Sequence, residues 1–314
     1  MSVQWLTTVE RLTFRVVSSG PSPSLRPPVV LVHGIGMSHR YLSRLHDVLA
    51  ADGPVFSIDL PGFAGLPKPP RDLDVVAMAD ALAEVIDRLG VGPVVLVGHS
   101  MGSQWVVEVA AQHPELVSFV VAMGPVVDPE HRTLLAQSVA LGIDSLREPP
   151  DINAIVFTDY VRCGIPWYLT QLRHMLAYPI EERAAALAVP LLVLRGERDP
   201  IAGIDWCRRL RDAAPRGSLV VIPGQHHVAQ HSAPRAVASA ISAYALRTTE
   251  GTEMGTDMTD DEKRRDQLLA APNATEDDAV PRIDVTHRPG VTRVDIREDA
   301  DVRPGNPEEV PARE

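Results

Sequence analysis

Residues 94–103, VVLVGHSMGS, constrain the fold more tightly than any other part of this 314-residue chain. The stretch opens as an unbroken aliphatic run, the pattern of a parallel strand buried on both faces. It closes in Gly98-His99-Ser100-Met101-Gly102 and continues as QWVVEVAAQH, whose apolar residues recur at helical spacing. A buried strand that turns sharply into a helix around a serine strains the backbone at that serine and leaves no room for a Cβ on either side. Glycines at 98 and 102 satisfy the second condition. The turn lifts the Ser100 hydroxyl to the carboxyl edge of a sheet, beside the positive end of a helix. Ser100 is therefore the candidate nucleophile.

Other aliphatic runs fall at 29–33, 55–59, 116–123, 190–194 and 218–222. Between them lie helical patterns at 41–51, 73–89, 205–213 and 234–246. Residues 9–18 alternate and read as one edge strand. Strands that alternate with helices imply an α/β fold, a mostly parallel, doubly wound sheet covered on both faces. Over 129–187 the strand pattern stops. This segment is helical in tendency, broken by Pro149-Pro150, Gly164, Pro166 and Pro179, and it joins two strands at their carboxyl edge. We expect a helical cap insertion there, within an α/β domain spanning 1–248.

Charge sets the remainder apart. Residues 250–314 carry 18 acidic and 9 basic side chains, whereas the preceding 249 carry 23 and 21. The body has no bulk charge to attract nucleic acid, and the acidic tail would repel it. With few large apolar residues, 249–314 is expected to be a disordered acidic tail. Only 280–298 alternates, around His287-Arg288-Pro289-Gly290, in the manner of a marginal hairpin. Two cysteines, Cys163 and Cys207, make neither a disulfide framework nor a metal site. The N-terminus lacks the basic start and apolar run of a signal peptide, and no run approaches the roughly 18 apolar residues of a membrane span. A soluble cytoplasmic protein acting on a small molecule, without cofactor or metal, is the expectation.

A serine hydroxyl needs a base, and the base needs a carboxylate to orient it. After the 218–222 strand the chain reads Pro223-Gly224-Gln225-His226-His227-Val228, which carries two adjacent histidines toward the same sheet edge. After the 190–194 strand comes Arg195-Gly196-Glu197-Arg198-Asp199-Pro200. Asp199, fixed by the following proline, lies in chain order between serine and histidine. Glu197 and Asp128, the latter after the 116–123 strand, compete with it. An oxyanion requires two donors. The Met101 amide supplies one, and the Ile35 amide, in the Gly34-Ile35-Gly36 turn after the 29–33 strand, is proposed for the other. Phe157, Tyr160, Trp167 and Tyr168 crowd into a dozen residues of a chain with only 4% aromatics. They would line an apolar pocket or glue the cap to the body.

HGIGM at 33–37, DLPGFAG at 59–65, GHSMGS at 98–103, LLVLRGERDP at 191–200 and PGQHHVAQHSAP at 223–234 together resemble the α/β-hydrolase fold superfamily, in its serine esterase-like branch with a helical cap. The resemblance covers about residues 10–247. It implies a base seven residues before the proline that opens the last helix, which is His227. It also implies a Ser100–His227–Asp199 triad and hydrolysis of a small ester or thioester with an apolar part. Serine at position 100 sets the chain apart from relatives with an aspartate nucleophile, and the family often has glycine where His226 stands. On the same residues the fold also hosts carbon–carbon bond hydrolases, lactonases and cofactor-free haloperoxidases. From another class, a ligand receptor or scaffold would keep the triad without using it.

Overall fold

The computed structural model describes residues 2–22, 24, 26–128, 150–253, 283–288 and 291–296. They fall into two compact units, Met1–Thr249 and Glu250–Glu314. The first is built on eight strands: β1 (Val3–Val9), β2 (Leu12–Ser19), β3 (Val29–Val32), β4 (Val55–Asp59), β5 (Val94–His99), β6 (Val117–Met123), β7 (Leu191–Gly196) and β8 (Gly217–Ile222). Their order across the sheet is β1-β2-β4-β3-β5-β6-β7-β8. From β4 to β8 every neighbouring pair is parallel, and β1 and β2 add an antiparallel edge. The aliphatic runs become strands because both faces of the sheet are covered.

Alternate residues of the strands feed two cores. Val30, Val32 and Leu96 pack on one face with α2 (Val75–Arg88), α3 (Gly102–Gln112) and α7 (Ile204–Ala213). Leu31, Val95 and Val97 pack on the other with α1 (Ser43–Leu49), α8 (Ala229–Ser232) and α9 (Pro234–Glu253). Burial of each such side chain contributes about 1.5–3 kcal/mol. The caps are local: the Asp74 carboxylate accepts from the Ala77 amide at 2.8 Å and opens α2.

One sequence expectation is corrected. Residues 9–18 do not form a single edge strand. The chain reverses at Glu10 and Arg11, both with left-handed φ (46° and 68°), so that β1 is the edge and β2 lies inside it. Such a two-residue turn usually carries glycine or asparagine, and neither is present here.

The segment expected to form a cap contributes α4 (Pro150–Cys163), α5 (Ile165–Ala177) and α6 (Ile180–Ala185). Its expected beginning, residues 129–149, lies outside the described residues. Polar side chains fasten these helices to the body. The buried Asp159 carboxylate accepts from Ser38 Oγ at 2.5 Å and Arg40 Nη1 at 3.0 Å. Lys68 Nζ donates to the Cys163 carbonyl at 2.6 Å. On α3 the buried Glu108 accepts from Tyr178 Oη at 2.6 Å and Arg183 Nε at 2.7 Å. Bonds to an ionised partner are the stronger kind, and each joins segments far apart in sequence.

α9 continues to Glu253, past the helix end expected at 246. In the second unit the alternating stretch forms an antiparallel pair, β9 (Ile283–Arg288) with β10 (Val291–Ile296). The other tail residues beyond 253, expected to be disordered, lie outside the described residues.

Candidate active site

Ser100 sits where β5 gives way to α3, with φ 57°. A side chain in that region is strained by about 1–2 kcal/mol, and such strain gathers at functional positions. Gly98 is obligatory here: a Cβ on it would lie 2.2 Å from the Gly102 carbonyl oxygen. Hydrogen bonds hold the turn. The Ser100 amide donates to the Met123 carbonyl at 2.9 Å, and the Ser103 amide to the Ser100 carbonyl at 3.0 Å.

The turn after β3 approaches Ser100 closely. A Cβ on Gly34 would lie 2.9 Å from the Ser100 Cβ. Buried His33 fixes that turn. Its Nδ1–H donates to the Gly34 carbonyl at 2.7 Å, while Nε2 accepts from the Leu60 amide at 3.1 Å. Burial drives the His33 pKa down, so the ring is neutral and its tautomer is set by these partners. The amides of Ile35 and Met101, both buried, donate to no group among the described residues. Buried N–H groups rarely stay orphaned without a reason.

The candidate acid and base follow the neighbouring strands β7 and β8. Asp199 Oδ1 accepts from the amides of Ile201 (2.8 Å) and Ala202 (2.9 Å), and Oδ2 accepts from His227 Nδ1–H at 2.9 Å. Both side chains are buried, at 3% and 5% exposure. Burial alone would raise the Asp199 carboxyl, but the charge and hydrogen bond of His227, with the two amides, hold it below the ordinary carboxylate range.

The rival residues have other partners. Asp128 pairs with Arg209 at 2.5 Å, and Glu197 accepts from the Gly224 amide at 2.7 Å. His226 is half-buried, and it is His227 that meets Asp199. Ser100 and the Asp199–His227 pair thus reach one sheet edge.

Of the four aromatics between 157 and 168, three press on the body loops beside the site. Tyr160 and Tyr168 pack over Gly36, where a Cβ would lie 2.5 Å from Tyr160 Cε1. Trp167 covers Gly62 and meets Phe63 edge-on at 6.1 Å. Phe157 is separate from them, 70% exposed on α4.

Sequence reasoning gave no role to Tyr41 or His99, yet both are buried here and hydrogen-bonded across the site. Nothing local marks them, because their partners lie 58 and 128 residues away along the chain.

Among the described residues no group of three His, Cys, Asp or Glu is placed to hold a metal ion, and no helix is long and apolar enough to cross a membrane. Cys163 and Cys207 are buried free thiols, pushed up by burial to about 11 and about 12.

Comparison with known proteins agrees with this architecture. The model of the family described as "Alpha/beta hydrolase family" matches residues 29–240. (E)-2-((N-methylformamido)methylene)succinate hydrolase of Acinetobacter baylyi is 26% identical over 242 residues, 71% of this chain and 91% of its own. 2-(Acetamidomethylene)succinate hydrolase of Mesorhizobium japonicum is 25% identical over 266 residues, 75% of this chain and 92% of its own. Among solved structures, a thermophilic esterase from Thermogutta terrifontis superposes with a TM-score of 0.65 at 22% identity, covering 79% of this chain and 99% of that one.

Proposed function

The chain belongs to the alpha/beta hydrolase family, and on that premise we propose that it is a cofactor-independent serine hydrolase of small carboxylic esters or thioesters with an apolar part. One observation carries the reading: Ser100, held in a left-handed turn, shares a sheet edge with a buried Asp199–His227 pair. Ser100 Oγ attacks the carbonyl carbon while His227 Nε2 takes its proton. The carbonyl oxygen becomes an oxyanion that accepts from the Ile35 and Met101 amides. As the tetrahedral intermediate collapses, the carbon–oxygen or carbon–sulfur bond breaks. His227 returns its proton to the leaving group, and an acyl group stays on Ser100. His227 then deprotonates water, which releases the acid and restores the serine. Asp199 stays ionised throughout and orients the imidazole. The aromatic wall of Tyr160, Tyr168 and Trp167 supports an apolar contact on the substrate.

A second reading has its own support. Two relatives are named as hydrolases of amidomethylene succinates, which favours an acylated dicarboxylate as substrate on the same residues. One panel tests both: p-nitrophenyl esters of two to eight carbons, an acyl thioester, a lactone and 2-(acetamidomethylene)succinate. The first reading expects a burst of about one p-nitrophenolate per active site with a short ester, followed by steady turnover. Turnover of the succinate alone would select the second reading. No turnover and no reaction with a fluorophosphonate would make the chain a binding protein.

A further inference from the structure

We infer that Tyr41 and His99 form an uncharged brace that positions the oxyanion turn, the nucleophile and the base relative to one another; this rests on the reading of Ser100 and His227 just given. Three hydrogen bonds compose it. The Gly34 amide donates to Tyr41 Oη at 2.8 Å. Tyr41 Oη meets His99 Nδ1 at 2.7 Å. His99 Nε2 meets the backbone carbonyl of His227 at 2.9 Å.

The direction of every proton follows from the partners. A carbonyl only accepts, so His99 Nε2 carries the hydrogen. Neutral imidazole has one N–H, so Nδ1 must accept. The Tyr41 hydroxyl therefore donates to Nδ1, and its oxygen accepts from Gly34. No link is ambiguous and no donor is left over. Both side chains are buried, Tyr41 at 1% and His99 at 2% exposure. Their rings meet edge-on at 5.3 Å, and the His99 ring tilts against that of His227 at 4.7 Å. Burial, and then the proximity of His227, depress the His99 pKa to about 3. Burial pushes the Tyr41 hydroxyl the other way. The chain of bonds therefore keeps its protons throughout the neutral range and adds no charge beside the base.

The topology gives the brace its task. β3 and β5 are neighbours, but β8 lies three strands from β5. At about 4.8 Å per strand, the loop bearing His227 must reach back ~14 Å across the ends of β6 and β7 to face Ser100. The His99 bond holds the end of that reach. It does so from the residue next to the nucleophile, and through Tyr41 it is tied to the residue next to the Ile35 amide. An error of 1 Å in such a constellation costs roughly 100-fold in rate. Tyr41 and His99 touch no reacting atom in this scheme, so they are positioning residues.

Two readouts test the brace. The first needs no turnover. In 15N spectra of histidine-labelled protein, with His99 assigned from the spectrum of His99→Gln, His99 should remain the neutral Nε2–H tautomer from pH 5 to 9. In Tyr41→Phe the ring signals of His227 should shift or broaden. A titrating His99, or unmoved His227 signals in Tyr41→Phe, overturns the brace whether or not Ser100 is the nucleophile. The second readout is kinetic. Tyr41→Phe should lower kcat about 10-fold to 100-fold with KM within about threefold. The pH midpoint of kcat/KM should not move. His99→Gln, which keeps an N–H donor for the His227 carbonyl, should retain several-fold more kcat than His99→Leu. Unchanged kcat in folded Tyr41→Phe, equal Gln and Leu variants, or a displaced pH midpoint would each overturn it. Failure of fluorophosphonate to label Ser100 in the wild type would instead count against the nucleophile.

Discussion

Ser100→Ala is expected to lower kcat by roughly 10⁵-fold to 10⁶-fold, the scale on which losing a nucleophile acts when the rest of the site remains. A fluorophosphonate should add to one serine of the wild type, on the peptide that contains residue 100, and to none in the variant. Ser100→Gly separates chemistry from fold. The serine holds a left-handed backbone (φ 57°) that glycine adopts without strain. The glycine variant should be as inactive as the alanine variant, yet its thermal midpoint should be at or above that of the wild type. The relief is about 1 kcal/mol, offset in part by the greater entropy of an unfolded glycine. Labelling at another serine, or an alanine variant with native turnover, would remove Ser100 from the mechanism.

The second large effect separates base and acid from their neighbours. His227→Ala should fall near Ser100→Ala, because the proposed mechanism then has no base to take the serine proton. Asp199→Asn should cost somewhat less, about 10⁴-fold. The ring then loses the carboxylate that receives its Nδ1–H at 2.9 Å, and with it the correct tautomer for much of the time. His226→Ala and Asp128→Asn should keep substantial activity in folded protein. The loss at 128 weakens a contact with Arg209 on α7. Steady-state kinetics on the four purified variants, with folding checked by circular dichroism, decides the matter. A dead His226→Ala beside an active His227→Ala would shift the base by one residue. An Asp128→Asn more damaging than Asp199→Asn would move the acid to the loop after β6.

What could be read in the sequence follows from how local each signal is. The serine turn is written in five consecutive residues, and the strands on either side are continuous aliphatic runs. Asp199 and His227 are single residues with competitors two places and one place away. Their order along the chain and their positions after strand ends narrowed the choice, and the structure joins these two by a hydrogen bond. The β1–β2 reversal was hidden because Glu10 and Arg11 accept left-handed conformations without the residues that advertise them. Tyr41 and His99 were hidden for another reason. A buried tyrosine at the head of a helix and a histidine inside a strand resemble core residues until the third partner arrives from 128 positions away. The four aromatics between 157 and 168 fall between these cases. Their clustering was visible, but only packing on Gly36 and Gly62 distinguishes three of them from the exposed Phe157.

The position of β8 has a consequence for how activity is lost. β8 is an edge strand bonded only to β7, and five of its six residues are half-exposed, while β3, β5 and β7 are buried throughout. The loop that follows it is stitched to the Asp199 loop by Glu197 N–H to the Ile222 carbonyl (2.9 Å) and Arg198 N–H to the Gln225 carbonyl (2.8 Å). Asp199 and His227 therefore belong to one cooperative unit at the margin, and Ser100 belongs to the centre. Proteins open locally at free energies well below that of global unfolding, and margins open first. Warming or urea should then silence the chain while its circular dichroism is still native. A ligand that bridges Ser100 and His227 must be released before the margin can open. At a hundred times its Kd it raises the cost of that opening by about 2.7 kcal/mol. Substrate thus doubles as the clasp that keeps the two halves of its own site together.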